Sequence, residues 1–311
     1  MRNDPPESGE LEILTPRLVP LGGLRAMPVR RTLPQRQRSL IGAWCFADHY
    51  GPDRVATTGG MVVPPHPHTG LQTVSWLFRG EIEHRDSTGS HALVRPGEVN
   101  LMTAGRGIAH SEVSTPDTAV LHGAQLWVAL PAAARDTEPG FEHYAPAPVE
   151  LPGGSALVFL GALAGRTSPV RTFTPLLGAE LRVHAGGVLE LAVDPAFEHG
   201  LLADTAAVLD GHLLAPGELA YLPPGHRRIR VAAGAEPARL LLLGGEPFGE
   251  QIVMWWNFIG RTHEDIVGYR RQWQAELAGT ADTLRFGVVP DYPTDWIPAP
   301  PLPTVRLRSR G

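Results

Sequence analysis

The chain has 311 residues, 43% of them hydrophobic and 19% charged, with 35 Gly and 31 Pro. That length accommodates two domains with a core each, and the composition fits short strands joined by many turns, which excludes a coiled coil or helical solenoid. A net charge of −5 and a pI near 6.2 argue against direct nucleic-acid binding, and no apolar run approaches the roughly 20 residues needed to span a bilayer.

From the amino terminus, Asn3-Asp4-Pro5-Pro6-Glu7 offers neither the basic nor the apolar region of a secretory signal, so a cytoplasmic location is expected. Arginines at positions 17, 25, 30, 31, 36 and 38 lack aromatic interleaving and read as a solvated face. The single cysteine, Cys45, excludes an intrachain disulfide or a cysteine-based zinc site; between Trp44 and Phe46 it reads as a small buried residue. Strands are predicted from Thr73 to Phe78 before Gly80, then over Ala119 to Leu130, Ala156 to Leu160, Leu181 to His184 and Val188 to Val193. Further strands follow over Thr205 to Leu209 before Gly211, Ile229 to Ala232 and Arg239 to Leu243.

A repeat organises these elements. Pro96-Gly97-Glu98 and the apolar run ending at Gly105 return 120 residues later as Pro216-Gly217-Glu218 and the run ending at Gly225. Two similar all-β domains are expected, each a small barrel or sandwich, with the Pro- and Ala-rich stretch from Pro131 to Pro152 as the linker candidate. The division drawn is 1–135 for a metal-binding domain, 136–155 for the linker and 156–260 for a related domain without metal. Residues 261–311 supply a helix and an extended tail. Thr262 and Asp265 form a capping pair for that helix, and Ile266, Tyr269, Arg270, Trp273 and Leu277 recur on one face. Just before it, Trp255, Trp256 and Phe258 are expected to seal a domain interface or barrel end. The tail from Pro290 to Pro303 reads as a strap.

The residues that carry chemistry are His66-Pro67-His68 and His110-Ser111-Glu112. Strand residues two apart share a face, so each triplet presents two ligand-capable side chains together. Two such strands facing one interior bring three imidazoles and a carboxylate to a single point, a set that suits Fe, Ni, Cu, Mn or Zn. His49, His84, His91 and His122 lie in or near the same repeat, where they line the cavity, support the ligands from behind, or simply pack. The second repeat offers only Glu198, His199, His226 and Arg228, so its scaffold reads as structural.

The run from His66 to Trp76, followed by Gly105 to Glu112, resembles the signature of the pirin family within the cupin superfamily. The resemblance extends to Phe46–Pro52, to Gly245–Glu250 and to Trp255–Phe258, and so covers most of the chain. It implies a bicupin whose first domain binds one divalent transition metal through His66, His68, His110 and Glu112, iron first, with nickel, manganese, copper and zinc compatible. Gln72 stands where cupins in general carry a glutamate. The activity implied is a quercetin 2,3-dioxygenase type of oxidation, with a flavonol-like small molecule and dioxygen as substrates and Glu112 as the catalytic base. The alternative implied by the same family is a non-catalytic regulator whose metal redox state alters a surface that binds a protein partner.

Overall fold

Alternating apolar residues and frequent Gly turns give antiparallel sheets throughout the computed structural model, which describes residues 11–21, 27–292 and 296–311. These residues divide into two compact units. The first draws on the described residues within Leu18–Val29, Tyr50–His143 and Gly249–Gly311, the second on those within Met1–Arg17, Arg30–His49 and Tyr144–Phe248. Arg25 of the arginine set lies outside the described residues.

In the first unit, strands β1 (Val62–His68), β2 (Leu71–Arg79), β3 (Ile82–Asp86), β4 (His91–Val94), β5 (Val99–Thr103), β6 (Ile108–Ser114) and β7 (Val120–Ala129) follow one another along the chain. One sheet has the order β1-β6-β3-β4; in another, β5, β2 and β7 are neighbours, with Gly140–Tyr144 at the edge beside β5. The stretch read as a linker therefore carries structure, since Gly140–Tyr144 and Val149–Leu151 are both strands. In the second unit, β8 (Val188–Ala192), β9 (Ala207–Leu209), β10 (His212–Leu214) and β11 (Arg228–Ala232) form a sheet ordered β8-β11-β9-β10, the same arrangement as β1-β6-β3-β4.

This correspondence confirms the repeat and corrects one detail of it. Gly97 and Gly217 have φ of 78° and 87°, and Gly105 and Gly225 have φ of 51° and 116°, so the matched glycines occupy backbone conformations that side chains disfavour. At Gly105 a Cβ would lie 2.0 Å from the Thr137 carbonyl oxygen, which excludes any other residue. The strand from Thr205 to Leu209, however, does not match the one from Thr73 to Phe78. Gly80 ends β2 before β3, whereas Gly211 joins β9 to β10, so β9 is the counterpart of β3.

Helix α1 (His263–Leu277) begins as expected: the Thr262 side chain accepts from the Asp265 amide, and the Asp265 carboxylate accepts from the Thr262 amide at 3.0 Å. Ile266, Tyr269 and Trp273 are buried in a cluster with Ala109 of β6, Phe258, Phe286 and Val289. Ala109 lies between Ile108 and His110 and so points away from the His110 side chain, which puts helix and tail behind the β6 strand. The tail straps across α1. Trp273 Nε1 donates to the Ile297 carbonyl at 2.9 Å, Trp296 stacks on Trp273 at 5.5 Å, and the Ala299 amide donates to Gln274.

The aromatic trio divides. Phe258 is fully buried, while Trp255 and Trp256 are half-buried on the hairpin of Val253–Trp255 and Phe258–Gly260. We therefore expect Trp273→Ala to cost about 3–5 kcal/mol by loss of a fully buried indole, and Trp256→Ala distinctly less. Urea unfolding of the two variants checks the order, and equal losses would contradict it.

Candidate metal centre

One face of the sheet β1-β6-β3 gathers His66, His68, His110 and Glu112, with His84 and Asp86 beside them. His110 pairs with His66 of β1 on one side and with Asp86 of β3 on the other; Glu112 pairs with His84. Because each strand alternates, His66 and His68, His84 and Asp86, and His110 and Glu112 all project the same way. A bulge between His110 and Glu112 shifts the register on the β1 side.

The result is a tight cluster. Ring centroids of His66 and His110 lie 4.3 Å apart, and His68 is 5.0 Å from each of them. The potential ligand atoms of His66, His68 and His110 lie within 4.8 Å of one another, as do those of a second, overlapping group made of His84, His110 and Glu112. Glu112 thus joins the three expected histidines through His110 rather than through all of them. All five residues are buried.

Each imidazole is oriented through its Nδ1. His66 Nδ1 lies 2.9 Å from the Pro64 carbonyl oxygen, His68 Nδ1 lies 3.1 Å from that of Asn257, and His110 Nδ1 lies 3.4 Å from His84 Nδ1. Carbonyls only accept, so His66 and His68 carry their proton on Nδ1 and leave Nε2 as a lone pair. Burial lowers the His66 pKa to about 4, and burial together with neighbouring imidazoles holds His68 and His110 well below the ordinary value. At neutral pH all three are uncharged, the state a metal ion requires. His110 Nε2 is buried with no hydrogen-bond partner among the described residues, an uncompensated polar atom that a bound cation would satisfy. On these grounds the donor set fits a divalent transition metal.

Glu112 sits beside this set. Burial raises its pKa, against the opposing pull of His84 and of a hydrogen bond from Ser75. Ser75 Oγ lies 3.1 Å from Glu112 Oε1 and 3.0 Å from Gln125 Oε1. One hydroxyl proton cannot serve both oxygens; rotating the Gln125 amide lets its nitrogen donate to Ser75 while Ser75 donates to Glu112. Asp86 is fixed as well, its Oδ1 accepting from the Thr88 amide and hydroxyl and from the Ser90 amide. Burial works to raise the Asp86 pKa, but these bonds and the one from His84 outweigh it and hold the carboxyl below its usual range.

The remaining candidates fall elsewhere. His49 is buried in the second unit, 2.7 Å from Asp204, with Arg30 donating to its Nδ1. His91 is exposed and pairs with Glu83 at 2.6 Å. His122 packs edge-on to Phe78. Gln72 donates to Thr103 at 2.9 Å on the neighbouring β5 strand. Arg31 and Arg38 pair with Asp48 and Glu12, Arg30 donates to His49 and Arg17 to the Pro34 carbonyl, so these four arginines are engaged within the chain. Burial pushes the Cys45 thiol pKa up, which leaves it inert. The residue that sequence reasoning undervalued is His84: His84-Arg85-Asp86 has the same alternation as the two triplets that were chosen.

Among its described residues the second unit shows no counterpart of this cluster, because its matching strands are apolar. Leu189 and Leu191 of β8 and Ile229 and Val231 of β11 are buried in one leucine-rich core, where β1 and β6 carry histidines. His199 is fully buried there with neither ring nitrogen hydrogen-bonded among the described residues. Burial, helped by His226, lowers its pKa to about 4. The unfolded chain, with a histidine pKa near 6.5, therefore takes up this proton first, and stability drops as pH falls from about 6.5 towards 4, by at most ~1.4 kcal/mol per pH unit. His199→Met should flatten that slope; urea midpoints at pH 7 and pH 5 measure it, and an unchanged slope would refute the assignment.

Family models match both units. Residues 26–128 match the pirin domain and residues 178–278 the pirin C-terminal cupin domain. A pirin-like protein of Caulobacter vibrioides is 35% identical over 259 residues, covering 79% of this chain and 88% of that one. The chain belongs to the pirin family. A Pseudomonas aeruginosa pirin relative, provisionally named quercetin 2,3-dioxygenase PA1205, is 45% identical over 304 residues, 96% of this chain and 94% of its own. A crystal structure titled quercetin 2,3-dioxygenase from Acinetobacter baumannii superposes on this pirin with a TM-score of 0.89 at 40% identity, covering 96% of this chain and 97% of that one. No helix among the described residues is long and apolar enough to cross a membrane.

Proposed function

We propose that this pirin is a metal-dependent oxygenase of flavonols, of the quercetin 2,3-dioxygenase type, using dioxygen as co-substrate. His66, His68, His110 and Glu112 are its ligands to one divalent transition metal, with iron first and nickel, manganese, copper or zinc also compatible. The observation that carries this reading is the buried convergence of three neutral imidazoles whose Nδ1 atoms are all engaged. It is supported by near-full-length similarity to proteins bearing that name. A reducing, cytoplasmic setting suits the lone buried thiol of Cys45.

When bound, the metal supplies a Lewis acid for the hydroxyl–ketone edge of a flavonol and a redox centre. The protein does the rest. The three imidazoles hold fixed directions because their second nitrogens are tied to the chain. Glu112 accepts the substrate hydroxyl proton; its burial makes it a stronger base than an exposed carboxylate, and Ser75 orients the oxygen that does not receive the proton. Burial of the whole set keeps bulk water from competing for that proton.

The test is oxygen uptake by protein loaded separately with iron, nickel, manganese or copper and given a flavonol. Uptake matched by flavonol loss supports the oxygenase reading. Metal binding without turnover on any of the four overturns it and leaves the regulator.

A further inference from the structure

Beyond the contact of His84 with His110 Nδ1, the reading above gives His84 and Asp86 no role, yet both are buried on the same sheet face as the ligand set. We propose that Asp86, His84 and His110 form a hydrogen-bonded relay that fixes the proton of His110 on Nδ1 and thereby aims its Nε2 lone pair at the metal. His84 is then a positioning residue, and the inference rests on the metal-site reading just given.

The proton positions follow from one fixed point. Asp86 is a carboxylate whose Oδ1 is already saturated by Thr88 and Ser90, and its Oδ2 lies 3.1 Å from His84 Nε2. A carboxylate only accepts, so His84 Nε2 carries the hydrogen. The relay takes the His84 ring as uncharged, so that its other nitrogen is a lone pair, which His84 Nδ1 presents to His110 Nδ1 at 3.4 Å. Two lone pairs cannot face each other favourably, so His110 must donate from Nδ1, and its Nε2 must be bare. That nitrogen is the one buried without a partner. Three residues thus transmit the orientation of one turn, Asp86 to Ser90, to one ligand atom.

The arrangement gives His110 a different support from its neighbours. His66 and His68 donate to neutral backbone carbonyls. His110 donates to an imidazole backed by a carboxylate, a chain of hydrogen bonds in which each polarises the next. Such support raises the basicity of the ligand nitrogen, and losing it typically costs 10- to 100-fold in metal affinity. His84 also packs its ring 4.8 Å from Phe141, so a replacement has to preserve that contact to isolate the hydrogen bond.

The experiment uses the full chain and measures Ni²⁺ affinity by competition with a chelator, together with thermal midpoints. His84→Phe keeps a flat ring against Phe141 and removes both nitrogens. His84→Asn places a carbonyl oxygen near the former Nδ1 position and restores the acceptor without reaching Asp86. Expected is a 10- to 100-fold weaker affinity for His84→Phe and recovery of at least half of that loss, on a logarithmic scale, in His84→Asn. The proposal is overturned if His84→Phe binds nickel within about threefold of wild type, or if His84→Asn is as weak as His84→Phe, since packing alone would then explain the loss. Wild type that binds no nickel overturns the metal site together with the relay, whereas wild-type binding with an unaffected His84→Phe removes the relay alone.

Discussion

His68→Ala is expected to leave the purified protein essentially without metal, while His199→Ala retains the full complement. His68 is 1% exposed, held by the Asn257 carbonyl and packed against Trp127 with ring centroids 5.1 Å apart. Removing it takes out one of three imidazoles and opens a gap in the wall of the cluster, through which water competes with the remaining donors. His199 has no such effect because it belongs to the second unit, where the strands matching β1 and β6 carry leucine, isoleucine and valine. Elemental analysis of both variants decides the matter. Full retention of metal by His68→Ala would refute the ligand set proposed here.

Glu112→Gln is expected to lose about a hundredfold to ten-thousandfold in flavonol turnover per bound metal, the range typical of a lost general base. Glutamine has nearly the same shape and keeps one carbonyl oxygen for Ser75 to address, so the fold and part of the metal affinity survive. It cannot take up a proton, nor does it offset the charge of a divalent ion. Normalising turnover to metal content separates the two effects. A variant that matches wild type per metal would make Glu112 a ligand only and send the proton elsewhere.

Much of this was legible in the chain because strand alternation is a strong local signal. His66-Pro67-His68 and His110-Ser111-Glu112 each announce a shared face, and the Pro-Gly-Glu turns announce two similar units. What the sequence does not carry is the pairing between strands. Nothing local says that β3 lies against β6, and so the third alternating triplet, His84-Arg85-Asp86, looked no different from solvated histidines such as His91. The same blindness misplaced the counterpart of the Thr73 to Phe78 strand, since Gly80 and Gly211 are equally good turn signals for different connections. Trp255 and Trp256 were overvalued for a related reason: size predicts burial, but on the hairpin both remain only partly buried against the cluster, while Phe258 on the following strand goes fully inside.

The Asn257 carbonyl that holds His68 bears on how the protein is made. That contact spans 189 positions, and two more reach equally late into the chain: Ala109 donates to the Phe286 carbonyl, and Ile297 donates to the Pro65 carbonyl. On a ribosome adding about 5–20 residues per second, the histidines of β1 emerge on the order of ten to forty seconds before the backbone that orients them exists. A growing chain therefore displays loosely aimed imidazoles to whatever ions the cell contains and acquires its discriminating geometry only once the carboxy-terminal hairpin and strap have docked. We therefore expect tight metal binding only after the chain is complete, and a truncation before residue 257 to bind nickel more weakly than the full chain.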